Sequence, residues 1–414
     1  MANRRSFIKK ASFIGLASQF DPSCFSLPNV GSTQETDKWT KVANQFFSNP
    51  SGILNFNTGS AGIMPKPIYD AFINNTKSLI EYAPYEVKSQ HDQQILTAIE
   101  GVAQLINAPL EGLALVRNTT EGIASILNSY PFEEGDEVII SKTAYPYPHY
   151  LLDRLEKRKG IKKVEIDFSP AEISDEEILA KYSAVISSKT RLIVATHVLH
   201  REGQIMPVKA ICSMARNHGV EVLLDAAHSI GQIEHDVLDI GCDYYISSLH
   251  KWLYAPLGSG LLYMKKEHIP KIDTGFSYPL NLNKKIKKYD YTGTIAFQNA
   301  MTLPAVLQFN NALGPKAKQN RLAYLANYLR DGLSNISGLK FLGDSARSLA
   351  MVSFSMESGR YDPILKSYLD DFKIHVKKSV SKGVGFVRAT VNLHMLEEQL
   401  DYFITATEKI ARQQ

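Results

Sequence analysis

Val222-Leu223-Leu224-Asp225-Ala226-Ala227-His228 is an apolar run that closes on an acid, and Ser247-Ser248-Leu249-His250-Lys251-Trp252 places a lysine 26 positions after that aspartate. Short aliphatic runs of this kind read as buried strands of a parallel sheet, and such sheets bind ligands at the carboxyl ends of their strands. An aspartate and a lysine at neighbouring strand ends can face one cleft. A lysine amine can form a Schiff base with an aldehyde, and an aspartate can keep a pyridinium nitrogen protonated, so that the ring draws electrons from the carbon beside the imine. Those are the two demands of pyridoxal phosphate chemistry. The hydroxyls of Ser247 or Ser248 and the imidazole of His250 can hold a phosphate dianion. Gly258-Ser259-Gly260 then allows a tight turn into a further strand over 261–264.

Outward from this segment, one continuous pattern runs from about residue 37. Aliphatic and β-branched runs predict strands over 113–116, 137–141, 163–168, 192–197, 220–224 and 244–247, separated by helices over 121–128, 150–159, 175–182 and 208–217. That alternation argues βαβ units and a mainly parallel sheet covered on both faces. After about residue 300 long amphipathic helices, 302–313 and 319–336, precede strands over 350–356, 372–376 and 385–391. The expected division is a leader over 1–36, a large domain over 37–300 and a smaller α+β domain over 301–414.

The 414 residues are 44% hydrophobic and 21% charged, the usage of a globular protein with a sizeable core. The formal net charge is +4, and Arg4, Arg5, Lys9 and Lys10 carry that surplus. Without residues 1–30, which also hold Asp21, the body is near neutral. Nothing electrostatic therefore points to nucleic acid or an anionic membrane as partner. No apolar run approaches the roughly 20 residues that span a bilayer. Cys24, Cys212 and Cys242 lack the spacing of a zinc site or a disulfide framework, so no metal is expected. Arg4-Arg5-Ser6-Phe7-Ile8-Lys9, a mildly apolar stretch and a Pro/Ser-rich run resemble a twin-arginine export signal, which implies a periplasmic or exported protein; a cytoplasmic protein with a basic tail is the alternative.

Singly, a strand-end Asp is a turn residue and a Lys a solvated one; the ordered set Asp-x-x-His, Ser-x-His-Lys-Trp and Gly-x-Gly is far more specific. It resembles the class V aminotransferase group of fold-type I pyridoxal phosphate enzymes, relatives of cysteine desulfurases, selenocysteine lyases, kynureninases and isopenicillin N epimerases. The likeness covers nearly the whole chain from about Asn55. It implies a mainly parallel seven-stranded sheet, a smaller α+β C-terminal domain, pyridoxal 5'-phosphate as cofactor and a homodimer with shared sites. It also implies roles: Lys251 for the Schiff base, Asp225 for the pyridinium nitrogen, His228 near the phenolic oxygen, and Ser248 and His250 for the phosphate.

The turn Asn118-Thr119-Thr120-Glu121-Gly122, between a strand and a helix, suits a phosphate by its exposed N–H groups and hydroxyls, and the family uses Thr119 and Thr120 in that way. Tyr145 falls where relatives stack a ring on the pyridine, with Tyr147 and Tyr150 as neighbours that could serve instead. His200 stands where desulfurases show an Asn, and is either an acid/base group or a polar wall. Thr294, in Gly293-Thr294, resembles the turn that reaches the neighbouring subunit's phosphate. Arg388, in Gly385-Phe386-Val387-Arg388-Ala389-Thr390, resembles the clamp on a substrate carboxylate. Asn57-Thr58-Gly59-Ser60-Ala61-Gly62 matches a turn at the substrate entrance.

Desulfurases of this group need a mobile cysteine in the C-terminal part, and all three cysteines here precede the lysine. The thiol route is therefore not expected. Transamination needs one base on one face of the ring, which Lys251 can supply, whereas epimerisation needs protons from both faces. Tyr85, His91, Tyr145 and His200 are the possible second acids. The overall pattern is most similar to the isopenicillin N epimerase-like branch. A C–S lyase without a catalytic cysteine and a non-catalytic binding protein are the alternatives. The non-catalytic reading predicts loss of the lysine or aspartate, and both are present; a nucleotide-binding protein would show GxGxxG or GxxxxGK[ST] after a strand, and none does.

Overall fold

The computed structural model describes residues 32–82, 84–168, 173–357, 361–381 and 384–413. Arg4, Arg5 and Cys24, and the export signal expected there, lie outside the described residues, as do the side chains of Tyr85 and His91.

In chain order the elements are α1 (Ser32–Ala43), β1 (Leu54–Asn55), α2 (Lys66–Glu81), α3 (Pro84–Ile106), β2 (Leu113–Val116), α4 (Thr119–Ser129), β3 (Glu137–Ser141), α5 (Pro146–Lys159), β4 (Lys162–Ile166), α6 (Asp175–Ser183), β5 (Thr190–Thr196), α7 (Val208–Asn217), β6 (Glu221–Asp225), α8 (Val237–Ile240), β7 (Tyr244–Ser248) and β8 (Gly260–Met264). There follow α9 (Phe297–Leu313), α10 (Pro315–Ser334), β9 (Leu339–Phe341), β10 (Met351–Met356), α11 (Tyr361–Asp370), β11 (Ile374–His375), β12 (Lys377–Ser381), β13 (Val384–Thr390) and α12 (Glu397–Arg412).

Seven strands form one sheet in the order β2-β8-β7-β6-β5-β3-β4, in which only β8 runs against its neighbours. This is the mainly parallel seven-stranded α/β sheet expected. Its inner strands β3, β5, β6, β7 and β8 are buried on both faces, and most of them read as near-continuous aliphatic runs. Val138, Ile140, Leu192, Val194, Leu223 and Ile246 enter one core cluster, and the alternate residues Ile139, Ile193, Leu224 and Tyr245 enter the other. Side chains with a period of two thus feed two layers of helices.

Element ends follow local chemistry. The Asn118 side chain accepts from the Glu121 N–H at 2.9 Å and caps α4. Ser174 and Glu177 close a capping box on α6. Pro146 starts α5 four residues before the expected helix, because proline is favoured in a first turn. The helix expected over 302–313 begins earlier, at Phe297, and packs against α2 and α3, where Asn75 Nδ2 donates to Thr302 Oγ1 at 3.1 Å.

A second sheet, β12-β13-β10-β9, is antiparallel throughout. The strand expected over 372–376 is only the two-residue β11, which pairs in parallel with β1. β12 was not expected, because Lys377-Lys378-Ser379-Val380-Ser381 offers a single aliphatic residue. β1 carries the chain past β13, where the Thr390 N–H donates to Phe56 O at 2.7 Å. That contact brings the turn after Phe56 up to Arg388.

Candidate active site

A cavity of about 580 Å³ opens at the carboxyl ends of β2, β3, β5, β6 and β7, against β12 and β13. Ten of the expected site residues line it: Thr119, Thr120, Tyr145, His200, Asp225, His228, Ser248, His250, Lys251 and Arg388. Thr294 does not; it is exposed on the segment between Tyr291 and Ala296.

β6 and β7 are hydrogen-bonded neighbours, so Asp225 and the loop holding Lys251 leave the sheet side by side. The Lys251 amine is enclosed by the cavity walls, and burial lowers its pKa from 10.5 to about 8. The charge of Asp225 pulls it back up, while Arg388 and Lys377 push it down. Burial raises the Asp225 carboxyl above the usual range, opposed by the Ala227 N–H at 3.0 Å and by Lys251. His228 stands between two partners. Its Nε2 is 3.1 Å from Lys251 Nζ, and its Nδ1 accepts from the Trp252 indole at 3.1 Å. Burial holds this imidazole neutral, its pKa well below 6.5.

Gly62 supports the lysine from outside. Its N–H donates to His250 O at 2.9 Å, and a Cβ there would lie 2.0 Å from the Lys251 carbonyl oxygen. Gly258 takes the left-handed turn, φ +84°, whereas Gly260 is required by close approach, since a Cβ would lie 2.8 Å from the Asn118 backbone.

At the N-terminus of α4, Ser248 Oγ accepts from the Thr119 N–H at 3.1 Å and lies 2.7 Å from Thr119 Oγ1. His250 Nδ1 is 3.0 Å from Ser259 O, which turns Nε2 away from that carbonyl. The cluster gathers N–H and hydroxyl donors at the positive end of a helix, the setting of an anion site.

Arg388 on β13 is 2% exposed. Its Nη1 donates to His200 O at 2.5 Å, its Nη2 to Asn57 Oδ1 at 2.9 Å and to Ser60 Oγ at 3.2 Å, and its Nε has no partner. Burial lowers even this guanidinium to about 10. Tyr145, 37% exposed, meets the His200 ring edge-on at 5.1 Å and stacks on Tyr147 at 5.6 Å. His200 is kept neutral, first by burial and then by Arg201 and Arg388.

The sequence reading missed Lys377, Asn128 and Arg154, which also line the cavity. Nothing in the local pattern of 377–381, with its single aliphatic residue, signalled Lys377. Cys212 and Cys242 are buried free thiols; neither lines the cavity, and burial raises Cys212 to about 12. Among the described residues no cluster of three or more His, Cys, Asp or Glu side chains is placed to hold a metal, and no helix is long and apolar enough to cross a membrane.

The profile of the aminotransferase class-V family matches residues 53–403. The chain belongs to the aminotransferase class-V family. It is 24% identical over 392 residues to the isopenicillin N epimerase of Streptomyces clavuligerus, covering 90% of this chain and 98% of that protein. It is 26% identical over 291 residues to the L-cysteine desulfhydrase of Arabidopsis thaliana, covering 65% and 63%. Its fold is similar to that of a mutant of C-DES, a cystine C–S lyase, solved with glycine covalently linked to its pyridoxal phosphate cofactor: the TM-score is 0.79 at 22% identity, over 89% of this chain and 98% of that one.

The protein is thus a pyridoxal phosphate-dependent enzyme of the class-V family. The residues present fit the cofactor. Thr119, Ser248 and His250 could hold its phosphate, the buried Asp225 carboxylate its ring nitrogen, and Lys251 offers an amine that burial leaves largely unprotonated above about pH 8.

Proposed function

We propose that this class-V enzyme moves the Cα proton of an amino acid with Lys251 and that epimerisation is its reaction. When bound, pyridoxal phosphate supplies an aldehyde that joins an amine and a ring that draws electrons from the substrate's Cα. Lys251 is the amine in question, and the observation that carries the reading is its enclosure in one cavity with Asp225, His228 and Arg388. A lysine held near pKa 8 is matched to accepting and returning a proton at neutral pH. Arg388, fixed by His200 O, Asn57 and Ser60, lines the cavity as a cation suited to a carboxylate. Tyr145 brings a hydroxyl into the same cavity and is the second proton carrier in this reading. Likeness to the epimerase over 98% of its length supports epimerisation. The absence of a thiol among the lining residues argues against the cysteine-dependent route.

The test is incubation of the loaded enzyme with single L-amino acids in D2O. Epimerisation gives the D-isomer with deuterium at Cα and no net loss of amino acid. Accumulation of a 2-oxo acid would make it an aminotransferase, and release of sulfide from cysteine or cystine a C–S lyase; either result overturns the epimerase reading.

Two further proposals rest on sequence. Export through the Arg4-Arg5 leader is checked by fractionating cells that express the full chain and an Arg4→Lys/Arg5→Lys variant. A homodimer that brings Thr294 to the partner's site is checked by sedimentation and by pyridoxal phosphate affinity in Thr294→Val.

A further inference from the structure

Lys377 is directly opposite Arg388 in the antiparallel register of β12 and β13. Like charges placed so are destabilising, because Cβ atoms across a strand pair stand only about 4.5–5.5 Å apart. Both side chains reach the cavity, Arg388 buried and Lys377 half-buried, where desolvation raises the cost. Neither forms an ion pair among the described residues. Among the described residues Asp225 is the only acid lining the cavity, and its charge acts on Lys251. Ser60 links the two cations: its Oγ accepts from Arg388 at 3.2 Å and from Lys377 Nζ at 3.5 Å. Three acceptors of this chain hold the Nη groups of Arg388, whose Nε is buried without a partner, and the Lys377 ammonium has this one long contact among the described residues. Two adjacent cations therefore line one enclosed space, and Lys377 keeps donors that no group of this chain takes up among the described residues. The cofactor's own anion has a separate place, at Thr119, Ser248 and His250.

We propose that Lys377 and Arg388 form a two-cation subsite that selects an amino acid carrying a second acidic group on its side chain, Arg388 taking one carboxylate and Lys377 the other. The proposal rests on the amino-acid reading above and names its substrate class. An occupant with two negative charges removes the repulsion built into the strand pair, whereas a neutral side chain leaves Lys377 uncompensated. Lys377 is then a specificity determinant, distinct from the residues that serve proton transfer.

The experiment compares full-length loaded enzyme with Lys377→Met and Lys377→Arg, titrating L-glutamate against L-glutamine and L-aspartate against L-asparagine and reading the shift of the cofactor absorbance band. Wild type is expected to bind the better-fitting acid at least about tenfold more tightly than its amide. Lys377→Met should lose most of that preference through weaker binding of the acid, and Lys377→Arg should restore it. Equal weakening of acid and amide would show that Lys377 shares the α-carboxylate with Arg388, and no preference in wild type would show that no second acid is read; either overturns the proposal. Calorimetry with glutarate against butyrate gives a readout without the cofactor. A protein that fails to load pyridoxal phosphate but binds glutarate through Lys377 would overturn the proposed function and keep the subsite. Equal binding of glutarate and butyrate would overturn the subsite itself.

Discussion

The Trp252 indole nitrogen donates to His228 Nδ1 at 3.1 Å, while His228 Nε2 stands 3.1 Å from Lys251 Nζ. An indole N–H can only donate, so Nδ1 accepts and the single proton of the neutral imidazole sits on Nε2. That proton points at the lysine, whose amine accepts it once deprotonated, above about pH 8. The residue after Lys251 in the chain therefore sets, through His228, which hydrogen-bonding face the lysine meets. Trp252→Phe keeps most of the buried volume and removes the donor. The expected result is a mixture of His228 tautomers, visible in the ¹⁵N shifts of histidine-labelled protein, with turnover reduced about tenfold and stability by about 1 kcal/mol. Unchanged ¹⁵N shifts would refute the tautomer assignment.

Cofactor uptake should depend on pH through Lys251. Its folded pKa lies at about 8, below the ordinary 10.5. The reactive free amine then appears as pH rises through about 8, and the rate of loading by pyridoxal phosphate should reach half its plateau there. Between about 8 and 10.5 the unfolded chain binds more protons at this site than the folded one, so the same group makes stability rise with pH in that window. A stopped-flow series on cofactor-free protein checks the first point; a midpoint near 10.5 would contradict it. Lys251→Ala should abolish the covalent band.

Glu202 is 1% exposed and neither carboxylate oxygen has a partner. Burial raises its pKa from 4.5 to about 7. The folded chain holds a proton there that the unfolded chain releases, so this contribution is full below about pH 4.5 and is lost as pH rises through 7. The ceiling of the effect is about 3 kcal/mol. Glu202→Gln should melt a few degrees higher than wild type at pH 8 and match it near pH 4.5, in paired thermal scans.

Gly62→Ala tests the support of the lysine loop. The added methyl meets the Lys251 carbonyl oxygen, so one of two backbone segments has to move. A loss of about 1–3 kcal/mol in stability is expected, with a larger fractional loss in cofactor affinity. Equal affinity in a fluorescence titration would show that the loop yields without disturbing the lysine.

Local strings in the chain specified much of the molecule. The runs at β3, β5, β6 and β7 are buried on both faces and so carry their apolar character openly, and the sheet could be read from them. The placement of Asp225 and Lys251 at neighbouring strand ends followed from the same runs. β12 escaped because an edge strand such as 377–381 needs little aliphatic content, and α9 begins before its expected start, with a half-buried first turn in which Asn299 Nδ2 donates to Leu257 O at 2.8 Å.

By itself the sequence determined the α/β sheet, the order of its strands' functional residues and the pyridoxal phosphate chemistry, since each rests on residues close together in the chain. Only the tertiary structure decided that Lys377 faces Arg388, that Trp252 orients His228, that Glu202 has no partner and that Thr294 stands apart from the single-chain cavity. Cross-strand register, desolvation and the pairing of buried polar atoms are properties of segments far apart in sequence, and they take values only when those segments pack.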